Sequence, residues 1–328
     1  MASGQSFYFL RHFLGNATAS AGRKFSWPQV MGVFVITEYT YKFCKTNAPV
    51  ARANVGDSLT FKTLDCFSNL IQTDQDLTTN FNYDSANPAT GPVYIEGAEP
   101  GDILAVDILS IKVSDRGVVT TLPGVGPLWD RVEIRTTVVP IENGKAKFKD
   151  VEIPIAPMVG VIGVAPAGEA VACGFPGAHG GNLDCKYMGA GARLYLPVSV
   201  PGALFALGDL HAVMGDGELC GTGLEICGEV TVRFDLIKKR KLDWPVLETK
   251  DSWHVFASSL DYTEALVTAT RQMQDLMSPA YGWDATDVFF YLSLAGEAAI
   301  NQGCQPCPVA MILRVSAPKR PGKPLLGK

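Results

Sequence analysis

The sequence predicts a mainly β protein, a β-sandwich or barrel core with a smaller α+β part that carries two helices in the C-terminal third. Three observations carry this. From residue 34 onward, short segments rich in Val, Ile, Thr, Phe and Tyr follow one another, each closed by Gly, Pro or Gly-Asp. Several of them alternate apolar and polar residues, the period of a strand with one buried face. Apolar residues at helical spacing are confined to residues 262–299.

In order, residues 34–43 pack Phe, Val, Ile, Thr and Tyr into a strand-like run. Residues 55–65 place a Gly-Asp turn before an alternation that sets Leu59, Phe61, Thr63 and Asp65 on one side. The same device recurs over residues 99–112. Further strands are expected at 132–139, 145–148, 194–200, 219–226, 230–236 and 309–315. Residues 262–277 bring Ala265, Leu266, Ala269, Met273, Leu276 and Met277 onto one helical face, with Thr263 as the expected cap. Residues 284–299 repeat the pattern, opening on Asp-Ala-Thr-Asp, an N-terminal signal. Residues 72–92 and 122–128 lack periodicity and read as loops able to wall a pocket. The fold is expected over 34–318, with a mobile tail at 319–328 and an extra segment at 1–33.

Composition narrows the class. At 328 residues, 47% apolar and 19% charged, the chain can bury a large core. A net charge of −5 argues against a nucleic-acid partner, because phosphate binding needs a basic face. No apolar run approaches the roughly 18 residues of a membrane helix. The eight cysteines are scattered, which suits free thiols in a reducing compartment, so a cytoplasmic location is expected. Cys304-Gln-Pro-Cys307 is a lone CxxC without a second pair for zinc or a thioredoxin-like context, and reads as two thiols beside a turn. Residues 1–37 contain no Asp or Glu. They have the composition of a transit peptide, which would make the location mitochondrial, or are extra sequence ahead of a start at Met31.

The chemistry concentrates in residues 177–225. Two of the four histidines, His179 and His211, lie there with Asp184, Asp209, Asp216, Glu218 and Glu225, among many glycines. Glycine lets the backbone take positive φ and aim carboxylates at one point. Imidazole plus carboxylates is a ligand set for a hydrolytic divalent ion. Asp209 and His211 stand two apart, so on a strand they face the same way. Asp216 reads as a turn former, and His12 and His254 as isolated packing or surface residues.

Five linked motifs resemble the acetamidase/formamidase family: Thr90-Gly-Pro-Val-Tyr-Ile-Glu-Gly-Ala-Glu-Pro-Gly-Asp-Ile-Leu104, Gly180-Gly-Asn-Leu-Asp184, Leu196-Pro-Val198, Pro201-Gly-Ala-Leu-Phe205 and Gly208-Asp-Leu-His-Ala-Val-Met-Gly-Asp-Gly-Glu218. They run in the family's order across residues 39–315. The resemblance implies a jelly-roll-like core, a homo-oligomer, and hydrolysis of formamide or acetamide to ammonia and the carboxylate. Where this chain has His179 the formamidase branch carries Asn, which makes His179 a less secure ligand than His211.

The expected site therefore has Asp209, His211, Asp184, His179 and Asp65 as metal ligands, zinc first and calcium the alternative. Glu218 is the expected proton shuttle. Asn182 is the expected oxyanion donor, and Gly180 and Gly181 are expected at the substrate. Rival roles for Glu218 are metal ligation and pairing with Arg193. Two other readings stand beside this one: a thiol mechanism through Cys185 or Cys220, and a catalytically silent β-sandwich binding protein with a structural metal.

Overall fold

Continuous apolar strand segments need cover on both faces, and this chain supplies it with a second sheet on one side and helices on the other. The computed structural model describes residues 34–79, 82 and 85–327; the N-terminal segment 1–33, with His12, lies outside them. A nine-stranded sheet runs in the order Phe34–Ile36, Ser58–Thr63, Gly228–Ile237, Ile103–Val113, Arg193–Pro197, Val246–Glu248, Ser252–Ser259, Met311–Pro318, Glu297–Gln302. A twelve-stranded sheet is built around Phe205–His211, which pairs with Met158–Gly163, Glu225–Ile226 and Ala89–Ile95. Neither strand order closes into a barrel among the described residues.

The strand Ile103–Val113 shows how the layers form. Leu104, Val106 and Ile108 join the core shared with Val159, Ile162, Leu207 and Leu210 of the second sheet. Ile103 and Ala105 point the other way, into a core with Ala265, Ala269, Met273 and Met277 of the first helix. The strand Ser252–Ser259 divides likewise, Phe256 to the sandwich and Trp253, Val255 and Ala257 to the helices.

The two predicted helices are present as Tyr262–Tyr281 and Ala285–Ala295. The first is capped by Asp261, whose carboxylate accepts from Glu264 N at 2.8 Å, and not by Thr263. The second is capped by Asp284 but stops at Gly296, short of residue 299. There Glu297–Gln302 becomes an edge strand on Met311–Pro318. The chain end differs from the expected mobile tail, since Leu325 and Leu326 are 1% and 2% exposed and pack into the helix-side core. Of the strand expected at 219–226 only Glu225–Ile226 forms; the remainder is a loop returning from His211. Among the described residues no helix is long and apolar enough to cross a membrane.

Candidate active site

The site grows from one strand pair. His211 and Glu225 are direct cross-strand partners, so their side chains meet on one face, with Nε2 and Oε1 3.2 Å apart. Asp209 projects to the same face and brings Oδ1 to 3.7 Å from Nε2. Asp184, just beyond the strand Gly180–Asn182, and Glu218, in the returning loop, approach to 4.0 and 3.9 Å. Four carboxylates thus surround one imidazole nitrogen, and all five residues are buried.

The backbone is distorted to achieve this. Asp184, Asp209 and Glu218 adopt φ of +39°, +56° and +42°, and Asn87, whose Nδ2 donates to Asp209 Oδ2 at 2.7 Å, adopts +54°. Left-handed backbone costs a non-glycine residue about 1–3 kcal/mol and gathers at functional sites. Two glycines leave the required space. A Cβ at Gly160 would lie 2.6 Å from Asp184 Oδ1 and 2.7 Å from Asp209 Oδ2, and one at Gly223 would lie 2.5 Å from His211 Nδ1.

So much like charge out of water must be neutralised. Burial, reinforced by Glu218 and Asp209, pushes the Asp184 carboxyl far above its ordinary range. Burial raises Glu218 against the opposing pull of His211, and it raises Glu225 to about 8. For His211 burial disfavours the charge, but Glu225 and Asp209 outweigh it and lift the imidazole well above its usual value. Asp184 Oδ1, Asp209 Oδ1, His211 Nδ1 and Glu225 Oε2 are buried without hydrogen-bond partners. Two ligands of one tetrahedral zinc ion, each about 2.1 Å from it, stand roughly 3.4 Å apart. The 3.2–4.0 Å separations around Nε2 and the orphaned oxygens fit a divalent cation. Asp184, His211 and Glu218 form one compact donor set, and Cys66, Asp209 and Glu225 form another.

Several expected residues are not brought into this cluster. His179 packs edge-on against Phe43 at 5.2 Å and is held neutral by burial, its imidazole lowered to about 4. It belongs to neither donor set, because the left-handed turn at Gly180 and Gly181 (φ +96° and +79°) carries Asp184 in instead. Asp65 lies in its own turn, where Oδ1 accepts from Phe67 N at 3.0 Å and Asn69 N at 2.7 Å, and it belongs to neither donor set. Gly180 and Gly181 are glycine for packing, since a Cβ on either would meet a carbonyl oxygen at 2.3 Å. Asp216 does more than turn the chain: it takes a bidentate ion pair from buried Arg314 at 2.8 and 2.9 Å. Arg193 pairs with Asp107 and Asp235, so it is not a partner of Glu218. His254 bonds Ser316 through Nδ1 at 2.7 Å and is structural.

Two residues entered the site without being predicted as part of it, and a third, Glu225, was named in the acid patch without a role. Glu225 was one acid among several in the sequence, and only its cross-strand register reveals it. Cys66 adjoins Asp65, the residue expected in its place. Gln302 carried no signal; its Nε2 donates to both Asp184 Oδ2 and Glu218 Oε2 at 2.8 Å, clamping the two acids together.

The cluster opens on a cavity of about 30 Å³. One water needs roughly 10–15 Å³ measured this way, so the space admits only a few heavy atoms. Its lining includes the polar Asp209, Glu218, Glu225, Asn87, Asn182 and Gln302 and the apolar Phe67, Leu122, Val125 and Val309. Both loops expected to wall a pocket do so, through Asn87 and through Leu122 and Val125. Asn182 is 4% exposed and leaves Oδ1 unpartnered. Cys185 is fully buried, its thiol pushed up to about 11, which disfavours a thiolate nucleophile there.

A family model described as the Acetamidase/Formamidase family matches residues 42–174 and 167–304. The formamidase of Methylophilus methylotrophus is 27% identical over 216 residues, and the acetamidase of Mycolicibacterium smegmatis is 29% identical over 216, each match covering 45% of this chain. The chain spans about half the length of these curated relatives, 51% and 53%. Among solved structures, the acetamidase of Bacillus halodurans superposes with a TM-score of 0.83 at 38% identity, over 87% of this chain and 97% of that one. A predicted acetamidase/formamidase of Thermoanaerobacter tengcongensis matches with the same score and identity, over 87% and 95%.

Proposed function

This chain belongs to the acetamidase/formamidase family, and from that premise we propose that it hydrolyses a short linear amide to ammonia and the carboxylate with the help of a divalent ion. One observation carries the reading: four buried carboxylates converge on His211 beside a cavity with room for only a few heavy atoms.

Asp184, Asp209, His211 and Glu225 would hold the ion; the mixed nitrogen and oxygen set suits zinc first, with calcium the alternative. Such an ion supplies Lewis acidity toward a carbonyl oxygen and eases the ionisation of water. Glu218 lines the cavity, and burial raises its carboxyl above the ordinary range, the direction that suits a group that takes up and gives back a proton. It takes the proton from water and returns it to the departing nitrogen. The Asn182 side-chain amide, facing the cavity, donates to the developing oxyanion, a contact worth roughly 3 kcal/mol when well aimed. Phe67, Leu122 and Val125 bound the acyl side and limit its length.

The test is ammonia release from formamide, acetamide and propionamide by protein that is metal-loaded, exhaustively chelated, and resupplied with zinc or calcium. Turnover that is lost and restored, falls steeply toward propionamide and disappears in Glu218→Gln supports the reading. Full turnover after verified metal removal would overturn the ion's role. No turnover of any short amide in the metal-loaded protein would leave the binding protein as the better description.

A further inference from the structure

The CxxC of this chain is not remote from the site. Cys304 and Cys307 both line the candidate cavity. The two side chains belong to the same apolar cluster, Cys304 within it and Cys307 packed against it. Cys304 is 3% exposed and packs with Cys66, Phe67, Leu122 and Val125, while Cys307 is only half-buried. The segment between them is braced: Gln305 Oε1 accepts from Cys307 N at 3.0 Å, and Gln305 Nε2 donates to Val309 O at 2.9 Å.

This segment is also stitched to the residues that shape the cavity. Gly126 N donates to Cys304 O at 2.6 Å, Gly303 N to Gly217 O at 2.9 Å, and Gly217 N to Asn301 O at 2.9 Å. Gln302, two positions before Cys304, holds Asp184 and Glu218. A change in the geometry of Cys304 is therefore passed to the acid clamp on one side and to the apolar wall on the other.

We propose that Cys304 and Cys307 form an oxidisable dithiol, a modification site in the cavity wall, whose closure to a disulfide lowers turnover at the adjoining acids. The oxidant is a peroxide. The reachable Cys307 thiolate attacks one peroxide oxygen, breaking the O–O bond to give a Cys307 sulfenic acid and hydroxide. The Cys304 sulfur then attacks the Cys307 sulfur, the sulfenic oxygen leaves, and the thiol proton and the hydroxyl depart as water. The two thiols lose two electrons and the peroxide is reduced to two waters. Cys307 is half-buried and Cys304 buried, so Cys307 meets the peroxide first and Cys304, in the same cluster, is placed for the resolving step. Closure brings the two sulfurs to about 2.05 Å and shifts the wall that Gly126 and Gly303 tie in place.

The effect on turnover rests on the amidase reading, whereas the disulfide itself does not, so the experiment reads both. Full-length, metal-loaded protein is treated with hydrogen peroxide at a small molar excess. It is then divided between non-reducing peptide mapping and ammonia release from formamide, with and without dithiothreitol. The expected result is a Cys304–Cys307 linked peptide, lighter by two hydrogens. It is accompanied by a loss of turnover of about tenfold or more, the scale seen when supporting partners of a site are displaced. Dithiothreitol reverses both. Cys307→Ser, scored against its own untreated activity, is insensitive to the same treatment. A linkage of Cys304 to Cys66, or over-oxidation with no Cys304–Cys307 disulfide, overturns the proposal, as does a mapped disulfide with unchanged turnover. If untreated protein hydrolyses no short amide, the amidase reading fails, and the peptide map alone decides the dithiol.

Discussion

Replacing Gln302 with Leu removes one amide group that touches two acids. Its Nε2 makes hydrogen bonds of 2.8 Å to Asp184 Oδ2 and to Glu218 Oε2. A hydrogen bond to a charged group contributes about 1.5–3 kcal/mol, so losing both costs at least about 3 kcal/mol before any relaxation. Little relaxation is available, because Asp184 already leaves Oδ1 unpartnered and both acids are buried. The urea midpoint of the Gln302→Leu protein should fall by an amount equivalent to about 3 kcal/mol, and kcat for formamide should drop roughly 10–100-fold with a smaller change in KM. Gln302→Glu keeps the shape but offers at most one donor and adds a third acid beside two others; it should lose more than Gln302→Leu. Unchanged urea midpoint and kcat in Gln302→Leu would refute the clamp. Lower stability with normal kcat would reduce Gln302 to a packing residue.

Gly160→Ala should abolish most turnover and cost about 1–3 kcal/mol, because its methyl group would lie 2.6 Å from Asp184 Oδ1; a fully active variant would mean the acids are not held as described. His179→Gln should retain its metal content and most of its activity, with a stability loss of about 1 kcal/mol from the lost contact with Phe43; loss of bound metal would restore His179 as a ligand. In chelated protein, stability should fall as pH rises. The folded state holds the Glu225 proton up to about 8 while the unfolded chain releases it near 4.5, so this contribution is complete below about 4.5 and is lost on approach to 8. His211, also raised, acts with the same sign. Adding zinc should flatten this slope, and a melting temperature independent of pH from 5 to 8 in chelated protein would contradict it.

Local patterns in this chain were readable where one residue's neighbours in sequence are also its neighbours in space. The Gly-Asp turn before Ser58–Thr63, the apolar run of Ile103–Val113 and the Asp284 cap are such cases. Asp209 and His211 were legible for the same reason, lying two apart on one strand. What escaped was set by register between distant strands. Glu225 belongs to the site because it stands opposite His211, and nothing in its flanking residues says so. Gln302 arrives 118 residues after Asp184, on an edge strand that the helical spacing of residues 284–299 had concealed. His179 and Asp65 lie outside both donor sets for the complementary reason. Each has a suitable side chain beside a glycine-rich or turn motif, but the turn itself determines where that side chain goes. At Gly180 and Gly181 the backbone is left-handed and Asp184 reaches the cluster, and at Asp65 two backbone amides hold Oδ1 in the turn. The acids that do meet show positive φ at Asp184, Asp209 and Glu218, a cost of about 1–3 kcal/mol each that local preference opposes. Convergence of those four carboxylates on His211 is therefore a property of the assembled sheets, maintained against both strain and charge repulsion. The cation proposed above would offset both.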